Sequence, residues 1–116
     1  MLPHADRAIV HPDKLLRYLL DPTNPRSRGK PAVFFALGYA REGWERLRGD
    51  LLLHGRTHPV AKVELRGEDA MYTVEGDIQG PTGRTHLRTV WQVDAGTVIP
   101  RLVSAYALSP KGRSGE

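Results

Sequence analysis

The feature that most limits what this chain can fold into is a change of hydrophobic period near Val60. Before it, apolar residues recur at helical spacing; after it, they alternate with polar residues at a spacing of two. In residues 11–21 the leucines at 15, 16, 19 and 20 share one helical face. Pro12 suits a first turn, where its missing N–H costs nothing, Asp13 favours the positive end of the helix dipole, and Pro22 stops the helix. A second short helix is expected over residues 31–37, with Gly38 free to take the left-handed conformation that ends it. A third covers residues 42–53, with Trp44, Leu47 and Leu51 on one stripe, and Gly55 and Pro59 are expected to close the helical half. Four strands follow at residues 60–66, 71–78, 84–93 and 101–108, separated by Gly67-Glu68-Asp69, Gly80-Pro81-Thr82-Gly83 and Asp94-Ala95-Gly96 turns. Helices followed by alternating strands with short turns predict an α+β fold, with two to three N-terminal helices packed on one face of a four-stranded antiparallel β-sheet. The other face is left to water, and that is where function has to reside.

The chain has 116 residues, enough for one domain (1–108) that buries about two-thirds of its extended surface. The small polar stretch 109–116 is expected to be a frayed tail. There is no cysteine, which excludes a disulfide framework, a thiolate zinc site and a cysteine nucleophile. No apolar run approaches a membrane span and residues 1–14 show no signal-peptide core, so a cytoplasmic protein is expected. Neither phosphate-loop nor dinucleotide glycine patterns occur, and no cofactor is expected. His54 and His58 are four apart, but Gly55 and Pro59 are expected to break the helix there, so no metal site is expected.

Net charge is +4, and 13 of the 17 cations are arginine. Residues 82–116 hold 5 Lys or Arg against 2 acids. Arginine forks match phosphate and carboxylate, although the same bias, with nine prolines, also fits a heat-adapted composition. The outward strand positions gather Lys62, Glu64 and Arg66, then Thr73, Glu75 and Asp77, then Arg84, His86, Arg88 and Gln92. Antiparallel neighbours lie about 5 Å apart, so a Glu/His/Arg cluster can form. Metal-free RNA cleavage by 2′-hydroxyl transfer needs a base, an acid and cations for the charge on phosphorus. Glu75 or Glu64 as base, His86 as acid, and Arg88 or Arg84 as clamp would meet that need. The competing reading is a solvated face decorated with ion pairs of little energetic consequence. The loop 22–30 carries Arg26, Arg28 and Lys30 with no acid and is a candidate phosphate-contacting lip or a plain linker.

Two stretches carry a resemblance. Leu20-Asp21-Pro22-Thr23-Asn24-Pro25, through Gly29-Lys30, to Phe34-Phe35-Ala36-Leu37-Gly38-Tyr39 is one; Gly83-Arg84, Arg88-Thr89-Val90-Trp91 and Pro100-Arg101-Leu102-Val103-Ser104-Ala105-Tyr106 form the other. Over about residues 11–108 they resemble a family of small bacterial and archaeal proteins known as a domain of unknown function. That family is similar in turn to the barnase/EndoU/colicin/RelE-like nucleases, including tRNase domains of contact-dependent inhibition toxins. The resemblance implies a metal-independent endoribonuclease, toxin-like, with RNA (tRNA or mRNA) and an antitoxin-like protein as partners. It implies Lys30 and Arg88 as phosphate holders; joined to the reading of the open face and the loop, it gives His86 as proton shuttle and Ser104 as orienting group, with Glu75 in support and Arg26, Arg28, Arg84 and Arg101 contacting RNA. Asn24 stands where the family pattern has histidine, which removes one acid and leaves a catalytically inert RNA- or protein-binding module of a toxin–antitoxin-like operon as the alternative.

Overall fold

The computed structural model describes residues 1–108, so the expected tail, 109–116, lies outside the described residues. A 3₁₀ turn, Ala5–Arg7, leads to a first helix, α1, which starts as an α-turn (Pro12–Lys14) and continues as a π-helical stretch (Leu15–Leu19). Then come α2 (Lys30–Ala36), α3 (Trp44–Thr57), β1 (Val60–Arg66), β2 (Asp69–Gln79), β3 (Arg84–Val93) and β4 (Arg101–Ala107). The strands form one antiparallel sheet in the order β1-β2-β3-β4. The expected α+β architecture is the observed one.

Two departures from the sequence reading concern helices. The leucine pairs at 15–16 and 19–20 predict a regular helix, but the Leu20 N–H bonds to the Leu15 carbonyl five residues back. That wider turn sends Leu15, Leu19 and Leu20 together into the core, each at 0% exposure. Arg41 then satisfies the otherwise unpartnered carbonyls of Leu16 and Leu20. The second departure is in α3, which does not stop at Gly55 but runs through it to Thr57. Gly55 sits against Trp91, where a Cβ would fall 2.7 Å from the indole Cζ2. Glycine here allows close approach rather than helix termination.

The core lies between the helices and one sheet face: Val74 and Ile78 from β2, Leu87 and Trp91 from β3, and Leu102 and Ala105 from β4 meet Leu47 and Leu51 from α3 and Phe34 from α2. One polar chain crosses it. Trp91 Nε1–H donates to Thr89 Oγ1 at 2.9 Å, Thr89 lies 3.0 Å from His54 Nδ1, and His54 Nε2–H donates to the carbonyls of Gly76 and Leu87 at 3.0 and 3.1 Å. The two carbonyls fix the Nε2–H tautomer, so Nδ1 accepts from the Thr89 hydroxyl. Burial lowers the His54 pKa, and the ring stays neutral.

β1 corrects a third expectation. Ala61, Val63 and Leu65 alternate as though one face were covered, yet every residue from 61 to 66 is exposed. α3 packs over β2 and β3 and α1 and α2 pack over β4, and β1 extends beyond their cover.

Candidate functional site

The loop between α1 and α2 is held by its own side chains. Asp21 Oδ1 accepts the Thr23 N–H and hydroxyl at 2.9 and 2.6 Å, and those two bonds hold its carboxyl below the usual carboxylate range. Asn24 donates from Nδ2 to the Arg17 carbonyl at 2.5 Å and accepts the Arg26 N–H at 2.9 Å. Both ends of its amide are therefore structural, which explains what asparagine does at the position where histidine was expected. Buried Ser27 donates to the Tyr18 carbonyl at 2.5 Å. Arg28 and Gly29 then take positive φ values of 53° and 92°, turning the chain so that Lys30 opens α2 beside the end of β4.

On the uncovered sheet face, Glu75, Arg88 and Tyr106 stand in one row, because Glu75 faces Arg88 across β2–β3 and Arg88 faces Tyr106 across β3–β4. Arg88 puts Nε and Nη2 on the same Glu75 oxygen at 2.8 and 2.6 Å, and Nη1 donates to the Tyr106 hydroxyl at 3.1 Å. These bonds raise the Arg88 pKa further and fix the fork in place. Lys30 Nζ lies 5.9 Å from the Tyr106 ring centre and 5.3 Å from that of Tyr18. The Tyr18 hydroxyl is 3.3 Å from Ser104 Oγ, and Lys14 Nζ is 5.1 Å from the Tyr18 ring. Partial burial acts to raise the Tyr18 phenol, but the Ser104 hydroxyl and the Lys30 and Lys14 ammonium groups outweigh it and lower its pKa.

Lys30, Arg88, Glu75 and Ser104, named from sequence, are thus joined into one cluster by two tyrosines that were not named as site residues. Tyr106 was visible in the quoted C-terminal motif. Tyr18 gave a fainter signal, an aromatic lying off the leucine stripe of its helix. Three concavities meet at this cluster. One of about 560 Å³ lies over the sheet between Arg88, Glu75, Lys62 and Arg66; one of about 370 Å³ is bounded by Arg28, Lys30 and Tyr106; and one of about 340 Å³ is bounded by Lys14, Tyr18, Arg26 and Ser104.

The remaining candidates lie elsewhere. His86 is two residues from Arg88 on the same face, but its Nδ1 stands 3.0 Å from Asp77 Oδ1, on the side away from Tyr106. That bond from His86 holds the Asp77 carboxyl below its ordinary range. Arg84 is exposed at the far end of β3, opposite Gln79. Arg101 forks onto Asp94 at 2.8 and 3.1 Å, so its charge is already matched. Among the described residues, no helix is long and apolar enough to cross a membrane.

No curated protein sequence matches the chain at a significant level. A chain of the "Contact-dependent growth inhibition toxin - immunity protein complex from Klebsiella pneumoniae 342" is similar in structure, with a TM-score of 0.72 over 90% of this chain and 97% of that one. The two share 14% sequence identity, so the likeness is one of fold. The sequence resemblance is met at the level of family: residues 1–109 match the profile described as "Domain of unknown function (DUF6883)", and the chain belongs to that family.

Proposed function

We propose that this chain is a toxin-like, metal-independent endoribonuclease whose site is the Lys30–Tyr18–Ser104–Tyr106–Arg88 cluster. The observation that carries the reading is the meeting of two cations from distant elements around one tyrosine ring, with a second, pKa-lowered tyrosine beside Lys30. The fold shared with a chain of a toxin–immunity complex is further support and suggests a neutralising protein as partner. Arg88, oriented by Glu75, holds the non-bridging phosphate oxygens, with Arg26 and Arg28 along the RNA path. Ionised Tyr18 takes the proton of the ribose 2′-hydroxyl, whose oxygen attacks the adjacent phosphorus. The bond from phosphorus to the 5′-oxygen breaks and a 2′,3′-cyclic phosphate forms. Lys30 gives its proton to the departing 5′-oxygen, and Tyr18 returns its proton to Lys30, restoring both groups. His86 has no part in this scheme.

The test is cleavage of tRNA and total RNA by the purified protein in chelator. Cyclic-phosphate products are expected, with loss on the order of 10²-fold or more in Tyr18→Phe and Lys30→Ala, as for removal of acid–base groups. The rate should rise with pH as Tyr18 ionises, at a lower pH than a free phenol would. Activity retained in both variants, or abolished in His86→Ala alone, refutes the assignment. A second reading is favoured by the Arg88–Glu75 pair, which partly neutralises the clamp: an inert RNA-binding module, giving salt-dependent binding and no product.

A further inference from the structure

The sheet treats its two edges differently. At β4 the edge is partnered where the strand begins: the Ile9 N–H donates to Pro100 O and the Leu102 N–H to Ile9 O, both at 2.9 Å. At β1, among the described residues, no strand occupies the side away from β2. Val63 and Leu65 are 53% and 73% exposed there, next to partly buried Tyr72 and Ala70 of β2. A free edge bearing an apolar strip is a template for strand addition.

We infer that two copies of this chain join by antiparallel pairing of β1 with β1 about a two-fold axis through Val63. In that register the central residues of the strand complement themselves. Residues 61–65 read Ala-Lys-Val-Glu-Leu, with Lys62 and Glu64 directed to the open face and Val63 and Leu65 to the helix-side face. With Val63 facing its own copy, Lys62 faces Glu64 of the partner subunit and Glu64 faces Lys62 of the partner subunit, and the regular pairing ends at the β-bulge between Val60 and Lys62. Both charge pairs are attractive and the apolar contact at Val63 is covered. A two-fold at Lys62 or at Glu64 would set that residue against its own charge. One at Leu65 would oppose Glu64 to Arg66 but leave most of the strand unpaired, whereas Val63 is the midpoint of Val60–Arg66. The joined sheet has eight strands, and the two Arg88-bearing faces lie on the same side of it. The inference does not depend on RNA cleavage.

Sedimentation equilibrium of the full chain tests it. The wild type is expected to approach twice its 12.9 kDa mass as concentration rises. Lys62→Glu and Glu64→Lys each put like charges opposite one another twice, and each should raise the dimer dissociation constant on the order of 10-fold. The double exchange Lys62→Glu/Glu64→Lys restores opposition and should restore the wild-type constant. Because the chain has no cysteine, Val63→Cys should cross-link to its own copy on oxidation, and Leu53→Cys, at an exposed position on α3, should not. All four positions are exposed, and circular dichroism checks that each variant is folded. A wild type that stays monomeric to its solubility limit overturns the proposal and leaves the edge to a different protein. So does a dimer indifferent to both single charge changes, or a double exchange that fails to rescue.

Discussion

Two glycines of α3 allow the packing account to be tested against helix propensity. Gly49 is exposed, and a Cβ there would have nothing within 4 Å. Gly55 is buried, and its Cβ would meet Trp91 Cζ2 at 2.7 Å and Cε2 at 3.0 Å. Helix propensity treats the two alike and assigns Gly→Ala a gain of roughly 1 kcal/mol at each. At Gly49 nothing opposes that gain. At Gly55 the indole has nowhere to retreat: Trp91 is fully buried, and its N–H is held by Thr89, which is bonded in turn to His54. Overpacking of that kind costs about 1–3 kcal/mol, which cancels or reverses the gain. Gly49→Ala should therefore exceed Gly55→Ala in stability by about 1–3 kcal/mol. At roughly 4 °C per kcal/mol for a chain of this size, the melting temperatures should separate by about 4–12 °C. Urea and thermal unfolding followed by circular dichroism would measure it. In a Trp91→Phe background, which removes the ring atom in contact, Gly55→Ala should lose its penalty. Equal stability of the two alanine variants, or an unrelieved penalty in that background, would refute the packing account of Gly55.

Other expectations concern charge and the site loop. His54 is held neutral with a pKa lowered from 6.5, so unfolding takes up a proton there and stability falls as pH drops below about 6.5. His54→Leu should lower the neutral-pH plateau and flatten that acid limb in denaturation measured across pH. Asn24→Ala removes two loop hydrogen bonds and should cost about 1 kcal/mol in urea unfolding; no change would mean the loop is held by other contacts. In RNA-binding titrations across salt, Arg88→Ala should reduce the slope of log K by about 0.7. Arg101→Ala, outside the Lys30–Tyr18–Ser104–Tyr106–Arg88 cluster and with its fork on Asp94, should leave the slope unchanged.

The strands were legible because one face of β2, β3 and β4 is covered and the other is wet, which writes a period of two into residues 71–107. Three features were not legible, each for a physical reason. The π-turn at Leu15–Leu19 depends on how deeply three leucines are drawn into a tertiary core, and a heptad-like leucine pattern does not encode that. Gly55 has the local appearance of a helix stop, and only Trp91, 36 residues on, reveals it as a clearance for an indole. The buried role of Leu2 and Val10 rests on the isolated bridge at Ile9, which has no periodicity to read. The site was half legible. Charged groups on alternate strand positions could be placed on one face, but which of them touch is decided by α1 and α2. These bring Tyr18 and Lys30 to the β4 side and leave His86 with Asp77.

Ile9 also makes the sheet one-sided. A sheet able to accept a strand at both margins has no natural end to its growth and is the raw material of fibrils. Here the leading segment fills the β4 margin where that strand begins, and α1 and α2 pack against the same strand. A strand added at β4 would meet that blocked start at Arg101 and Leu102, whereas one added at β1 meets none, so the two margins do not extend the sheet equally.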